Sequence, residues 1–73
     1  MADDADLLRR FGQRCRALRR EKGLSQLDMV RYHGFSLSHY QKIERGVLNA
    51  QLVTLAKLAA SFQVSLSDLF MGV

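Results

Sequence analysis

The chain has 73 residues, with 11 Lys and Arg against 7 Asp and Glu and a formal net charge of +4. That length fits one small domain, residues 1–73, and is short for an enzyme; a binding module is expected and no catalytic residue is assigned. An apolar content of 48% is enough for one core and excludes a disordered chain, while no apolar run reaches the ~18 residues of a membrane span.

Apolar residues recur at intervals of three and four and nothing alternates with period two, so the fold class is all-α. Leu8, Phe11, Cys15 and Leu18 form one stripe, which predicts a first helix over about 4–22 with Gly12 tolerated inside it. A second helix over about 26–33 is capped by Ser25, with Asp28 completing a capping box and Leu24 packing on Met29. Ser36 caps a third over about 37–45, with Phe35 against Tyr40; His39 stands where a carboxylate would complete the box. A fourth, about 50–62, takes Asn49 as its cap and Leu52, Leu55, Leu58 or Ala59, and Phe62 as its stripe. Ser65, Asp68, Val64 and Leu69 repeat the start signal for a short fifth helix over about 66–71.

Charge is unevenly spread. Asp3, Asp4 and Asp6 make residues 1–6 an acidic N-terminal tail, unlike the basic start of a secretory signal. From Leu7 onward the balance is +7, and seven cations fall between Arg9 and Lys22 against Glu21 alone. Such a cluster is either a solvated helix face or a phosphate-facing surface that gains affinity by releasing counterions. The single cysteine, Cys15, cannot form an internal disulfide, which suits a reducing cytoplasm, and its place on the apolar stripe predicts a buried, inert thiol. His33 and His39 have no third ligand at useful spacing, so no metal or other cofactor is expected.

The segment 26–45 has the layout of a helix-turn-helix: a short helix, Gly34 for a tight turn, and a second short helix after Ser36. Met29, Val30, Phe35, Tyr40 and Ile43 are its expected apolar seam. Two short helices around a glycine are common, and the sequence around them is more specific. Arg-Ala-Leu-Arg-Arg-Glu-Lys-Gly-Leu-Ser-Gln (16–26), Gln-Lys-Ile-Glu-Arg-Gly (41–46), Leu-Val-Thr-Leu-Ala-Lys-Leu-Ala (52–59) and Val-Ser-Leu-Ser-Asp-Leu-Phe (64–70) stand in one order. From Phe11 to Phe70 the chain thereby resembles the Cro and phage-repressor-type, XRE-like helix-turn-helix family.

The resemblance implies a compact five-helix, lambda-repressor-like DNA-binding domain whose third helix enters the major groove. By position it makes Leu37, Ser38, Gln41 and Lys42 base-contacting, and Gln26, His39, Arg45 and Arg19 phosphate-contacting, with Gln26 also bracing the recognition helix. Arg19 and Glu44 match a partly buried ion pair joining the first and third helices. Lys42 suits the O6 and N7 acceptors of guanine, Gln41 the N6 and N7 of adenine, and Leu37 only a thymine methyl. The chain departs from the family at Val30, where alanine is usual and the helices must splay slightly, at His33 for leucine and at Ala50 for proline. Relatives bind double-stranded DNA as dimers, and the apolar end of the chain (64–73) is the candidate seam, through Leu66, Leu69, Phe70 and Met71.

The resulting expectation is a cytoplasmic, nucleoid-associated homodimer, bacterial or phage-encoded. It regulates transcription from an inverted-repeat operator, as a stand-alone repressor or a restriction–modification controller. No small-molecule ligand or membrane partner is expected. The alternative is a protein-interaction module, such as an antitoxin or assembly factor, that holds a protein partner with the same fold.

Overall fold

Asp3 starts the first helix by accepting a hydrogen bond from the Asp6 backbone N–H at 2.7 Å. In this computed structural model, which describes residues 3–73, α1 runs Asp4–Glu21, α2 Gln26–His33, α3 Leu37–Arg45, α4 Leu52–Phe62 and α5 Leu66–Leu69. Asp4 to Asp6 are therefore the first turn of α1, where their charge suits the positive end of the helix dipole. Met1 and Ala2 of the expected acidic tail lie outside the described residues. Asp6 also pairs with Arg9 and with Arg10, so this acid is matched by the first two cations of α1.

The serine caps expected at Ser25, Ser36 and Ser65 all form, but only Ser25 closes the reciprocal box; Asp68 does not accept from the Ser65 N–H. Ser25 Oγ accepts from the Asp28 N–H at 3.0 Å while Asp28 accepts from the Ser25 N–H at 2.8 Å, closing the capping box. At Ser36 and Ser65 the hydroxyl accepts from the N–H three residues on. Phe35 and Tyr40 meet edge-to-face with ring centroids 5.6 Å apart, which fixes the angle at which the chain enters α3. Gly34 takes the left-handed conformation (φ 72°) that the turn between α2 and α3 requires.

The fourth helix departs from expectation. It begins at Leu52, its cap position is Gln51, and no side chain bonds the first turn. Asn49 is instead in the preceding extended segment, lining a small apolar groove with Ala50, Leu55, Phe11 and Phe70. Leu52, expected on the apolar stripe, is 72% exposed, whereas Leu55 packs against the core and Leu58, Ala59 and Phe62 are buried in it. The fifth helix ends at Leu69, and residues 70–72 continue as turns.

The core is assembled from all five helices: Phe11, Cys15 and Leu18, then Met29, Tyr40 and Ile43, then Leu58, Ala59 and Phe62, and finally Leu69, with Phe35 closing it from the turn. Val30 is only half-buried, so the branched side chain is accommodated at the edge of the α2–α3 seam. Burial of Leu69 corrects its assignment to a dimer seam; it is a core residue of the single chain. Cys15 is fully buried, and burial, followed by the Glu44 carboxylate, pushes its thiol up to about 12.

Gly12 has a larger part than a tolerated glycine. A Cβ there would lie 2.5 Å from the Glu44 carbonyl oxygen and 2.6 Å from that of Ile43. At Gly46 it would lie 2.6 Å from Arg9 Cα. The backbones of α1 and the end of α3 are thus almost in contact at two points, and only glycine permits it. On the other side, Lys57 of α4 donates to the Gly34 carbonyl at 2.8 Å and places its ammonium 4.4 Å from the Phe35 ring centroid. The helix-turn-helix is held between these two clamps.

Candidate nucleic-acid interface

With Tyr40 and Ile43 buried, the 100° step of a helix puts Leu37, Ser38, Gln41, Lys42 and Arg45 on the opposite side of α3, within an arc of about 140°. All are exposed except the half-buried Gln41. The four expected base-contacting residues therefore share one face with Arg45, while half-buried His39 sits on its flank. Beside this face an open groove of about 560 Å³ is lined by Arg16, Arg19, Ser25, Gln26, Leu27, Glu44 and Arg45. It lies at the capped N-terminus of α2, where free backbone N–H groups and the helix dipole favour an anion.

Beneath the groove Arg19 and Glu44 form the ion pair expected between α1 and α3. Arg19 Nε donates to one carboxylate oxygen at 2.6 Å and Nη2 to the other at 3.0 Å, while Nη1 donates to the Leu24 carbonyl at 2.8 Å. The two side chains are only 10% and 5% exposed. Burial raises the Glu44 pKa, but hydrogen bonds from Arg19 and Gln26 outweigh it and hold the carboxyl below its usual 4.5. The same bond to Glu44 raises Arg19 against the cost of its own burial. Arg19 thus spends three of its five N–H donors within the chain while still lining the groove. The buried Tyr40 hydroxyl lies near this pair without hydrogen-bond geometry; desolvation and the Glu44 charge keep it protonated.

Most of the basic cluster on α1 has a similar fate. Arg9 and Arg10 pair with Asp6, Arg10 also reaches the Val73 main-chain oxygen, and Arg14 donates to the Asp68 carbonyl at 2.7 Å. Of the seven cations from Arg9 to Lys22, Arg16, Arg20 and Lys22 are exposed with no internal partner among the described residues. Arg16 alone of these three lines the groove beside Gln26. Sequence reasoning did not single it out. The available signal was helical spacing: Arg16 is off the Leu8–Phe11–Cys15–Leu18 stripe and three residues before Arg19.

This arrangement has close counterparts. The helix-turn-helix model HTH_3 matches residues 16–69. The chain belongs to the HTH_3, XRE-like helix-turn-helix family. It is 38% identical over 66 residues to control protein C.MunI of Mycoplasma sp, covering 89% of each chain. It is also 38% identical over 60 residues to the HTH-type transcriptional regulator y4dJ of Sinorhizobium fredii, covering 82% of this chain and 78% of that one. Among solved structures it superposes on the restriction–modification controller protein C.AhdI of Aeromonas hydrophila with a TM-score of 0.80. The two share 42% identity over 90% of this chain and 98% of that one. As an HTH_3 domain it matches the fold expected from sequence, five helices with the helix-turn-helix in α2 and α3. No helix among the described residues is long and apolar enough to cross a membrane.

Proposed function

We propose that the protein is a homodimeric, sequence-specific DNA-binding transcriptional regulator of the restriction–modification controller type, reading an inverted-repeat operator. The observation that carries this is the single face made by Ser38, Gln41, Lys42 and Arg45 of α3, continuous with the Arg16–Gln26 groove. In this reading α3 lies in the major groove. Lys42 donates to guanine, Gln41 engages adenine, Ser38 accepts several bases and Leu37 packs on a thymine methyl. Gln26, His39, Arg45 and Arg16 hold the phosphates on either side, with the N-terminus of α2 between them. Similarity to the controllers C.MunI and C.AhdI over nearly the whole chain supports the controller type.

Dimerisation is supported by apolar residues left on the surface. Leu66, Phe70 and Met71 are exposed, as are Leu52 and Val53 of the packed neighbour α4. A dimer on an inverted repeat requires its two recognition helices ~34–36 Å apart, one turn of DNA. The same edge is what favours the alternative of a protein-interaction module, in which it holds a different protein.

Fluorescence anisotropy with a random duplex pool, titrated with salt and followed by selection of bound sequences, separates the two. Two cations per protomer on phosphates (Arg16 and Arg45) give a dimer a slope of about −4 in log affinity against log salt. Enrichment of a short inverted repeat, abolished by Lys42→Glu with fold and dimer intact, is the expected result. Unchanged binding by Lys42→Glu, or no binding at low salt, refutes the DNA-reading role.

A further inference from the structure

The Arg19–Glu44 pair continues to the surface through two amides. Gln26 Nε2 donates to Glu44 Oε1 at 3.2 Å, and Gln41 Nε2 donates to Gln26 Oε1 at 3.3 Å. The direction of this chain follows from donor and acceptor chemistry alone. A guanidinium only donates, so the carboxylate it grips in bidentate fashion is ionised and can only accept. Gln26 must therefore turn its NH₂ toward Glu44, which leaves its oxygen facing α3. Gln41 must in turn offer an N–H to that oxygen. Neither amide is free to flip without placing two acceptors or two donors against each other.

Gln41 consequently meets a ligand with its oxygen and one N–H. The major-groove edge of guanine offers two acceptors, O6 and N7, and needs two donors; adenine offers the N6 donor and the N7 acceptor. We propose that the buried Arg19–Glu44 pair acts through Gln26 to fix the amide of Gln41 as one acceptor plus one donor, making Gln41 a selector of adenine over guanine. This rests on the DNA-reading role above and assigns Gln26 as a positioning residue for base choice as well as a phosphate contact. Such alignment costs no further ordering when DNA arrives, because the amide is already held.

Two measurements test it, and they fail separately. In the free protein, Gln26→Met retains side-chain bulk and removes the relay; the Gln41 side-chain amide signals in a ¹⁵N–¹H NMR spectrum are expected to move while the backbone spectrum stays folded. Unmoved Gln41 amide signals overturn the relay without reference to DNA. In the selection experiment, wild type is expected to prefer adenine to guanine at one base pair per half-site, by roughly 5- to 150-fold. Gln41→Ala removes that preference, and Gln26→Met reduces it by about fivefold or more at that base pair only, beyond any uniform loss from the missing phosphate contact. Gln41→Glu, an acceptor only, loses the bond to the Gln26 oxygen and is expected to turn the preference from adenine toward cytosine N4. A motif whose adenine preference survives Gln26→Met, or guanine preferred where Gln41→Ala relaxes choice, overturns this proposal alone. A pool from which wild type selects no motif overturns the DNA-reading role and this proposal together.

Discussion

Where α1 crosses the end of α3, backbone meets backbone: a Cβ on Gly12 would stand 2.5 Å from a carbonyl oxygen, and the adjoining Arg19 and Glu44 have almost no contact with water. Along the outer side of α4 and α5, by contrast, Val53 is 78% and Met71 62% exposed, and nothing within the chain covers them. The first region pairs its buried charges internally, leaving the Tyr40 hydroxyl without a partner, and sets the geometry of the α3 face. The second leaves apolar side chains on the surface, available to a partner. Rigidity and recognition are thus divided between the two ends of the same small core.

The largest effect is expected from Arg19→Met, which leaves a buried carboxylate without its partner. Breaking one member of such a pair costs about 3–5 kcal/mol, a large share of the stability of a domain this small. Urea denaturation followed by circular dichroism measures it. Adding Glu44→Met to the same chain is expected to restore most of the loss, since an apolar pair of similar volume replaces the ion pair. If the double variant is as unstable as the single one, the pair is not an energetic unit. Next in size is Gly12→Ala, where the obstacle is main chain that cannot rotate away. Overpacking of this kind costs about 1–3 kcal/mol, and a value near zero would show that α1 and α3 slide apart freely.

Acid probes the same junction more gently. The folded pKa of Glu44 lies below 4.5, so its contribution to stability is fully present above that value and is lost as pH falls through the folded pKa. Denaturation midpoints in urea are expected to hold from pH 7 to about 5 and to decline below 4.5, with the Arg19→Met/Glu44→Met variant declining less.

These two regions also mark what was legible in the sequence. Helix starts were readable because each rests on residues three apart: Ser25 with Asp28, Ser36 with His39, Ser65 with Asp68. Asn49 misled because a capping residue is a local signal, whereas the start of α4 is set by how far the chain must travel after Gly46 before it can pack. Gly12 read as a neutral helix residue, since nothing local announces that the distant backbone of Ile43 and Glu44 will press on it. At the interface, the face of α3 followed from periodicity. Which cations remain free did not: Arg10 and Arg14 bond to main-chain oxygens of Val73 and Asp68, distant in sequence and invisible until the chain is folded. Leu69 and Met71 are alike in sequence and opposite in role, one in the core and the other on the surface.

The smallest effect on folding, and the sharpest separation of the two regions, is expected from Val53→Glu combined with Met71→Glu. Both side chains point into solvent in the single chain, so substitution leaves unfolding free energy measured at high dilution within about 0.5 kcal/mol of wild type. Association is a different matter. Two carboxylates introduced on each copy of an apolar face oppose one another across a two-fold contact and lose their hydration there, so sedimentation is expected to report a monomer. Such a monomer keeps the α3 face intact and retains weak, salt-sensitive attraction to any duplex, yet loses the coupling of two half-sites that makes an inverted repeat preferable to a single one. A variant that stays dimeric would move the seam away from α4 and α5. One that becomes monomeric but still selects the inverted repeat would show that the two half-sites are read without the edge, and the exposed residues would then belong to a different partner.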